Sequence, residues 1–246
     1  MSKFNLMHCQ PDPRMFTQWA ARRGWLGPGG NIGYAMHVAL HEAFGERAPR
    51  PFYYRDARAG LLAYAQCRAD ELREAASLAN PDLAAALGLD CGPRSPGLNV
   101  RSFPMQWSAG RALGFEVRVR PVRRDRDGRE HDALHFAIER KQNDDRLNRE
   151  EVYRQWLERE FTASGAAKLV ATRMTRFHLT GVLRRTQADG KSGAMRRAET
   201  VFGLDAVFSG QLTVDDPDAF ALLLKRGVGR HRSFGFGMLL LRPAVG

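Results

Sequence analysis

Near its C-terminal end the chain reads GVGRHRSFGFG over residues 227–237, between a predicted helix and a predicted strand. The glycines of this glycine-rich loop, which follow the pattern G-x-G-x5-G-x-G, are Gly227, Gly229, Gly235 and Gly237. Glycine permits positive φ and the close approach of another backbone, and successive free N–H groups can cradle a phosphate. Arg230, His231 and Arg232 add charge inside the loop. A tight turn would explain a single G-x-G, but the complete pattern favours a loop that binds an anion.

The elements that surround this loop alternate between strands and helices. Asp216 and Pro217 are typical of a helix start, and Gly227 ends that helix. Asn148 is placed to cap an earlier helix whose apolar residues fall on one face. The predicted elements of this half are strands at 133–139, 168–185, 206–214 and 236–241 and helices at 148–164 and 217–227.

The first half of the chain shows the same order of elements. Its predicted strands are 4–9, 51–55, 61–67 and 113–122, and its helical stretches are 13–23, 33–44 and 70–87, the last broken at Asn80-Pro81. The sequence therefore predicts an α+β fold with two tandem ferredoxin-like (RRM-like) βαββαβ domains. The charged segment 123–131 contains Asp127-Gly128 and reads as the linker, so the domains are predicted at 1–124 and 131–246.

The charge of the chain indicates a polyanionic partner. Its 246 residues include 38 Lys and Arg and carry a net charge of +11 at pH 7. All but five of these basic residues are arginines, which grip phosphate through two parallel hydrogen bonds. A GC-rich genome also favours arginine codons, but it does not explain the excess of positive charge. One basic stretch, residues 118–129, is interleaved with Asp125 and Asp127 and is predicted to be mostly solvated surface.

Other features of the composition argue against several classes of protein. No run of about 18 apolar residues occurs, so we expect no membrane span. Cys9, Cys67 and Cys91 are scattered and odd in number, which fits neither a disulfide framework nor a metal site and favours the reducing cytoplasm. We therefore predict a cytoplasmic protein without a bound metal or cofactor.

The helix predicted at 33–44 carries a group of side chains suited to acid–base chemistry. Tyr34, His37 and His41 are three and four residues apart, so they share one helix face. RNA can be cut without metal when its 2′-hydroxyl attacks the adjacent phosphorus, which requires a base, an acid and positive charge on the phosphate. Histidine can transfer either proton near neutral pH. Arg22 and Arg23, just before the loop that leads to this helix, could supply the charge.

A second basic segment spans residues 184–197, between two predicted strands. It lacks apolar periodicity and contains Arg184, Arg185, Lys191, Arg196 and Arg197. We expect a hairpin loop that lies against the phosphates of an RNA helix, because the deep major groove of A-form RNA favours recognition of shape and phosphate. A flexible solvated loop is the alternative.

The glycine-rich loop resembles the C-terminal motif of the repeat-associated (RAMP) superfamily of CRISPR proteins. Within that superfamily the chain looks most like the crRNA-processing endoribonucleases of the CasE type. In those proteins a tyrosine and a histidine three residues later lie on the first helix, and the stretch closes with a phenylalanine. Tyr34, His37 and Phe44 match this pattern. Residues 66–166 carry no motif that extends the resemblance.

The resemblance implies two ferredoxin-like domains and an endoribonuclease that cuts the repeat hairpin of CRISPR precursor RNA without a cofactor. It implies His37 as the catalytic acid or base, with Tyr34, Arg23 and the weaker candidate His41 beside it. The products would be a 2′,3′-cyclic phosphate and a 5′-hydroxyl. Arg22, the basic segment and the glycine-rich loop would bind RNA, and the protein would remain with the crRNA and other subunits of the effector complex.

Three alternatives remain open at this point. Other members of the superfamily coat guide RNA without cutting it, and the Tyr34/His37 helix is the feature that only a nuclease needs. An unrelated tandem RNA-recognition fold would show aromatic stacking residues on central strands, and the sequence has no clean signature of that kind. The long loop at 24–33 departs from the CasE pattern. It leaves room for a type IV relative and for an arginine that shares or replaces the role of His37.

Overall fold

The computed structural model describes residues 3–26, 31–92, 95–141, 147–185 and 198–244. No helix within these ranges is long and apolar enough to cross a membrane. The predicted RNA-binding residues Lys191, Arg196 and Arg197 lie outside the described residues.

The first half of the chain folds around a four-stranded antiparallel sheet. Its elements are β1 (Asn5–Cys9), α1 (Pro13–Arg22), α2 (Gly33–Phe44), β2 (Phe52–Asp56), β3 (Gly60–Ala65), α3 (Ala69–Ser77), α4 (Pro81–Leu87), β4 (Cys91–Gly92), β5 (Ser95–Pro96) and β6 (Asn99–Ser102). The strand order in the sheet is β2-β3-β1-β6, and β4 pairs with β5 separately. The predicted break at Asn80-Pro81 is confirmed, because Asn80 caps α4 and Pro81 opens it.

The second half repeats this architecture. Its elements are β7 (Ala112–Val119), β8 (Val122–Arg124), β9 (Glu130–Asp132), α5 (Ala133–Lys141), α6 (Arg149–Ser164), β10 (Ala167–Arg185), β11 (Ala198–Val214), α7 (Pro217–Arg226) and β12 (Leu239–Pro243). The strand order of this antiparallel sheet is β10-β11-β7-β12. In both sheets, the strands that come second, third, first and fourth along the chain therefore lie side by side in that order. The prediction of two tandem ferredoxin-like folds is confirmed.

The strand predicted at 113–122 belongs to a different sheet from the one expected. It forms β7, which pairs with β11 and β12 of the second sheet, while the short β6 completes the first sheet beside β1. Sheet membership therefore changes between Ser102 and Ala112, ahead of the predicted boundary at 124–131. Both partners of β7 come later in the chain, and the order of elements alone carries no information about pairing.

The prediction of a strand at 133–139 is wrong, because this segment forms the helix α5. The alternation of Leu134, Phe136 and Ile138 imitates a half-buried strand, yet Ile138 is exposed. The carboxylate of Asp132 accepts a hydrogen bond from the backbone N–H of Leu134 at 2.8 Å, which starts the helix. The other caps agree with the predictions, since Asn148 caps α6 and Asp216 caps α7.

One arginine of the stretch predicted as surface is deeply buried. Arg120 is 1% exposed, and its guanidinium donates to the carbonyls of Thr180, Val201 and Gly203 on the β10–β11 hairpin. Its neighbour Arg118 forms an ion pair with the buried Asp205 at 2.6 Å. These contacts connect the end of β7 to the long hairpin.

The two halves share a packed boundary. The first half contributes Phe4, Leu6, Tyr53 and Tyr64 to the same apolar cluster as the second sheet and α6. The hydroxyl of Tyr64 donates to the carbonyl of Leu239 at 2.8 Å across this boundary. The second apolar cluster lies within the first half, between its sheet and its helices.

Candidate active site

Helix α2 presents the predicted catalytic face to the glycine-rich loop. Met36, Ala39 and Leu40 are buried in the first half, which leaves Tyr34, His37 and His41 on the opposite side. The rings of Tyr34 and His37 each lie 6.4 Å from the ring of Phe234, and the His37 and His41 rings are 4.5 Å apart, centroid to centroid. The loop therefore joins the predicted Tyr34–His37 pair in one site.

The close approach of α2 to the loop requires a glycine. A Cβ atom at Gly33 would lie 2.5 Å from the carbonyl oxygen of Phe234, closer than side-chain carbons pack. Gly33 thus allows the first turn of α2 to rest on the loop backbone. The contact fixes Tyr34 and His37 against a segment some 200 residues away in sequence.

The environment of His37 keeps its imidazole neutral. Burial is the largest cause, and the charges of His41 and Arg50 add to it, so the pKa of His37 falls from 6.5 to about 4. Burial and Arg50 also lower the pKa of His41. A neutral imidazole at pH 7 has a free nitrogen lone pair and is ready to accept a proton.

We expect the His37 imidazole to titrate near pH 4 in the free protein, as followed by NMR of histidine-labelled protein. The His41→Asn variant removes one of the charges that lower the pKa of His37, so the His37 midpoint should rise toward 6.5 in this variant. It should not reach 6.5, because His37 is still buried. The unfolded chain binds more protons than the folded one between pH 6.5 and 4, so this group's contribution to stability falls as pH drops through that window. A midpoint at or above 6.5 in the wild type would contradict the burial argument.

Arg22 and Arg23 lie at the C-terminal end of α1, and the RNA-binding role of Arg22 and the catalytic role of Arg23 stay predictions. The Arg23 guanidinium lies 4.8 Å from the Trp19 ring and 5.6 Å from the Trp25 ring, and it forms an ion pair with Glu42 at 3.7 Å. Arg22 is exposed at the end of α1. The contacts of Arg23 favour a role in anchoring the end of α1 to α2.

Sequence reasoning missed Arg50 and Phe234. Arg50, next to the start of β2, is the arginine whose charge reaches both His37 and His41. Phe234 contacts both members of the Tyr34–His37 pair. No spacing rule connects these two residues to α2, and only the packing of the two halves brings them there.

The backbone of the glycine-rich loop is folded back on the protein. Gly227, Gly229, Gly235 and Gly237 all have positive φ, as does His231. The N–H of Gly227 donates to the carbonyl of Leu223 at 2.7 Å, and that of Gly237 donates to the carbonyl of Arg118 at 2.6 Å. These two amides are therefore used within the protein, and phosphate binding by the glycine-rich loop stays a prediction.

The basic side chains of the loop surround an acidic residue. Glu130 on β9 accepts hydrogen bonds from Arg230 at 2.6 Å and from His231 at 2.8 Å. Burial alone would raise the pKa of its carboxyl, but the charges of His231 and Arg230 outweigh burial and lower that pKa. Arg232 donates to the carbonyl of Arg226 at 3.0 Å. The loop is thus anchored through Arg230 and His231, and part of its charge is neutralised.

The basic segment predicted to grip RNA begins at the far end of the described β10–β11 hairpin, well beyond Ala206, where the pairing of β11 with β7 ends. Arg184 and Arg185 are the last residues of β10, and they pair in register with Glu199 and Ala198 of β11. The backbone position agrees with a projecting hairpin, and RNA binding by Arg184 and Arg185 stays a prediction. Among the described residues, no group of three or more His, Cys, Asp and Glu side chains is placed to hold a metal ion.

The fold and this site define a class: tandem ferredoxin-like proteins in which a glycine-rich loop of the second half closes on a histidine-bearing helix of the first. The family model described as CRISPR associated protein matches residues 7–243, and the chain belongs to that family. A comparison with curated proteins gives no match.

Solved structures with the same fold cover nearly the whole chain. CRISPR endoribonuclease Cse3 bound to 19 nt RNA matches with a TM-score of 0.63 and 21% identity, over 97% of this chain and 100% of that one. Cse3 of Thermus thermophilus, bound to an RNA representing a pre-cleavage complex, matches with a TM-score of 0.62 and 20% identity, over 98% and 99%. A chain of a CRISPR RNA-guided surveillance complex, pre-nicking, matches with a TM-score of 0.51 and 15% identity, over 98% and 100%.

Proposed function

We propose that this protein is an endoribonuclease that binds the repeat hairpin of CRISPR precursor RNA and cuts it without a metal ion. The cut yields a 2′,3′-cyclic phosphate and a 5′-hydroxyl, and the protein keeps the processed RNA as a subunit of an effector complex in the cytoplasm. The observation that carries the proposal is the half-buried, neutral His37 held against Phe234 of the glycine-rich loop. Membership of the CRISPR-associated family and the likeness to RNA-bound Cse3 support it.

The reaction needs one proton removed and one delivered. His37, neutral at pH 7, takes the proton of the 2′-hydroxyl as that oxygen forms a bond to the adjacent phosphorus. The bond from phosphorus to the 5′-oxygen breaks, and Tyr34, one turn before His37 on the same face, delivers the proton to the leaving oxygen. Arg50, whose charge lowers the pKa of both His37 and His41, stabilises the extra negative charge of the pentavalent phosphate, and Arg22 and Arg23 are further candidates for that role.

The experiment that tests the proposal uses the repeat RNA of the CRISPR array in the genome that encodes this chain. We expect the labelled repeat, incubated with excess protein and EDTA, to give one cut on a denaturing gel. The upstream product should carry a cyclic phosphate, which a 2′,3′-cyclic phosphatase converts to a free hydroxyl and a slower band. An inverted-stem repeat of the same length is the control and should stay whole.

Two other results would reject the proposal in different ways. Tight binding of the repeat without any cut would identify a non-catalytic RNA-binding subunit. A cut that appears only when a divalent metal replaces EDTA would reject the metal-independent mechanism and leave the RNA specificity intact.

A further inference from the structure

A basic groove lies beside the candidate active site. It has a volume of about 530 Å³ and is bounded by α6, the end of α7 and the glycine-rich loop. The arginines that line this arginine groove are Arg123, Arg124, Arg159, Arg226, Arg230 and Arg232. Glu160 is the acidic side chain in its wall. So many like charges around one cavity repel one another, and an anion bound among them would relieve that repulsion.

Among the described residues, only two of these six arginines form an ion pair with a carboxylate. Among the described residues, Arg124 and Arg230 form ion pairs with Glu130, whereas no carboxylate lies within 4.0 Å of Arg123, Arg159 or Arg226. Burial and the charges of Arg226 and Arg230, which line the same groove, lower the pKa of Arg232. The groove therefore retains several guanidinium groups that can each bind a phosphate through two hydrogen bonds.

The groove is linked to the candidate active site through residues of the glycine-rich loop. A neighbouring cavity of about 310 Å³ is lined by Arg230, Arg232 and Phe234, and the two arginines line both cavities. Phe234 in turn contacts His37, with ring centroids 6.4 Å apart. A strand that leaves the scissile phosphate past Phe234 would thus enter the arginine groove.

We infer that the arginine groove binds the phosphates of the single-stranded RNA that flanks the cleaved hairpin. The inference rests on the proposed function. The volume of the groove is that of a small-ligand pocket, which admits one or two nucleotides but not a duplex. Trp156 is its main large apolar side chain, and the prevalence of arginine favours a phosphate backbone over a protein partner.

The test compares RNA affinity with and without a flank. The RNAs are the repeat hairpin alone and the hairpin with about eight extra nucleotides on its 5′ or 3′ side, within the span that one single-strand-binding fold covers. Each carries a 2′-deoxy nucleotide at the cut site, so that binding is measured without cleavage. We expect one flank to tighten binding at least tenfold at about 50 mM salt, with a steeper salt dependence.

Two double variants separate the groove from net charge. Arg159→Gln with Arg226→Gln should remove most of the gain from the flank and reduce the salt slope by about 1.4, or about 0.7 for each lost phosphate contact. Arg14→Gln with Arg58→Gln removes the same charge from exposed positions on α1 and in the β2–β3 turn, and it should keep the gain. Glu160→Gln removes the acid and should tighten binding of the flanked RNA by about 2- to 5-fold.

The inference fails if neither flank tightens binding to the wild type or if the two double variants lose affinity equally. It also fails if the groove variant loses as much affinity for the bare hairpin as for the flanked RNA, because that result would place the stem in the groove. Unchanged RNA affinity with loss of a co-purifying CRISPR subunit would instead identify a protein-binding groove. The measured quantity is binding affinity, so the inference can be supported or rejected whether or not the protein cuts RNA.

Discussion

His37→Ala lowers the single-turnover cleavage rate by at least about 100-fold, the loss typical of removing a general acid or base. The wild-type imidazole is neutral at pH 7 and lies against Phe234, where the glycine-rich loop meets α2. The variant lacks this imidazole, so the proposed base for the 2′-hydroxyl proton is missing. The rate is measured with protein in excess over labelled repeat RNA, so that product release does not enter.

Three controls distinguish chemistry from a disturbed fold. The affinity of His37→Ala for a non-cleavable repeat should stay within a few-fold of wild type, and added imidazole should restore part of the rate. His41→Ala should lose much less, because His41 is exposed, whereas His37 is half-buried against Phe234. Normal cutting by His37→Ala, combined with loss in Arg23→Ala or Arg50→Ala, would favour a mechanism centred on arginine.

A repeat RNA with a single 2′-deoxy nucleotide directly upstream of the scissile phosphate should remain uncut even after prolonged incubation. The proposed reaction uses that hydroxyl as the nucleophile, so its removal takes away the attacking atom rather than a catalyst. We expect rates below the detection limit of a denaturing gel and an affinity close to that of the all-ribose RNA.

A deoxy substitution one nucleotide further upstream provides the matched control, and that RNA should be cut at close to the normal rate. Cleavage of the first analogue would mean that water or another nucleophile attacks the phosphate. The proposed cyclic-phosphate product would then be wrong, although binding of the hairpin could still hold.

Local signals in the sequence were sufficient for most helices and for the fold class. Asp216-Pro217 and Asn148 cap α7 and α6 as predicted, because a cap depends on hydrogen bonds within one turn. The spacing of Tyr34 and His37 likewise placed both on one face of α2. These features depend on contacts between residues a few positions apart, so the local sequence is sufficient to predict them.

Long-range pairing could not be predicted in the same way. Strand β7 shows clear alternation, yet its neighbours β11 and β12 are chosen by contacts across the sheet. The approach of Arg50 to His37 and the burial of Arg120 depend on how the two halves pack. Arg120 reads as one more charge in a basic stretch, and nothing nearby in sequence indicates the three carbonyls that accept its hydrogen bonds.

The contact between Gly33 and Phe234 also has a consequence for synthesis on the ribosome. The helix that bears His37 is translated some 200 residues before its partner loop. At about 5 to 20 residues per second, the interval between them is roughly 10 to 40 s. During that time the nascent chain carries the histidine without the loop that completes its surroundings. The ring contact between His37 and Phe234 can therefore form only after the glycine-rich loop has been synthesised.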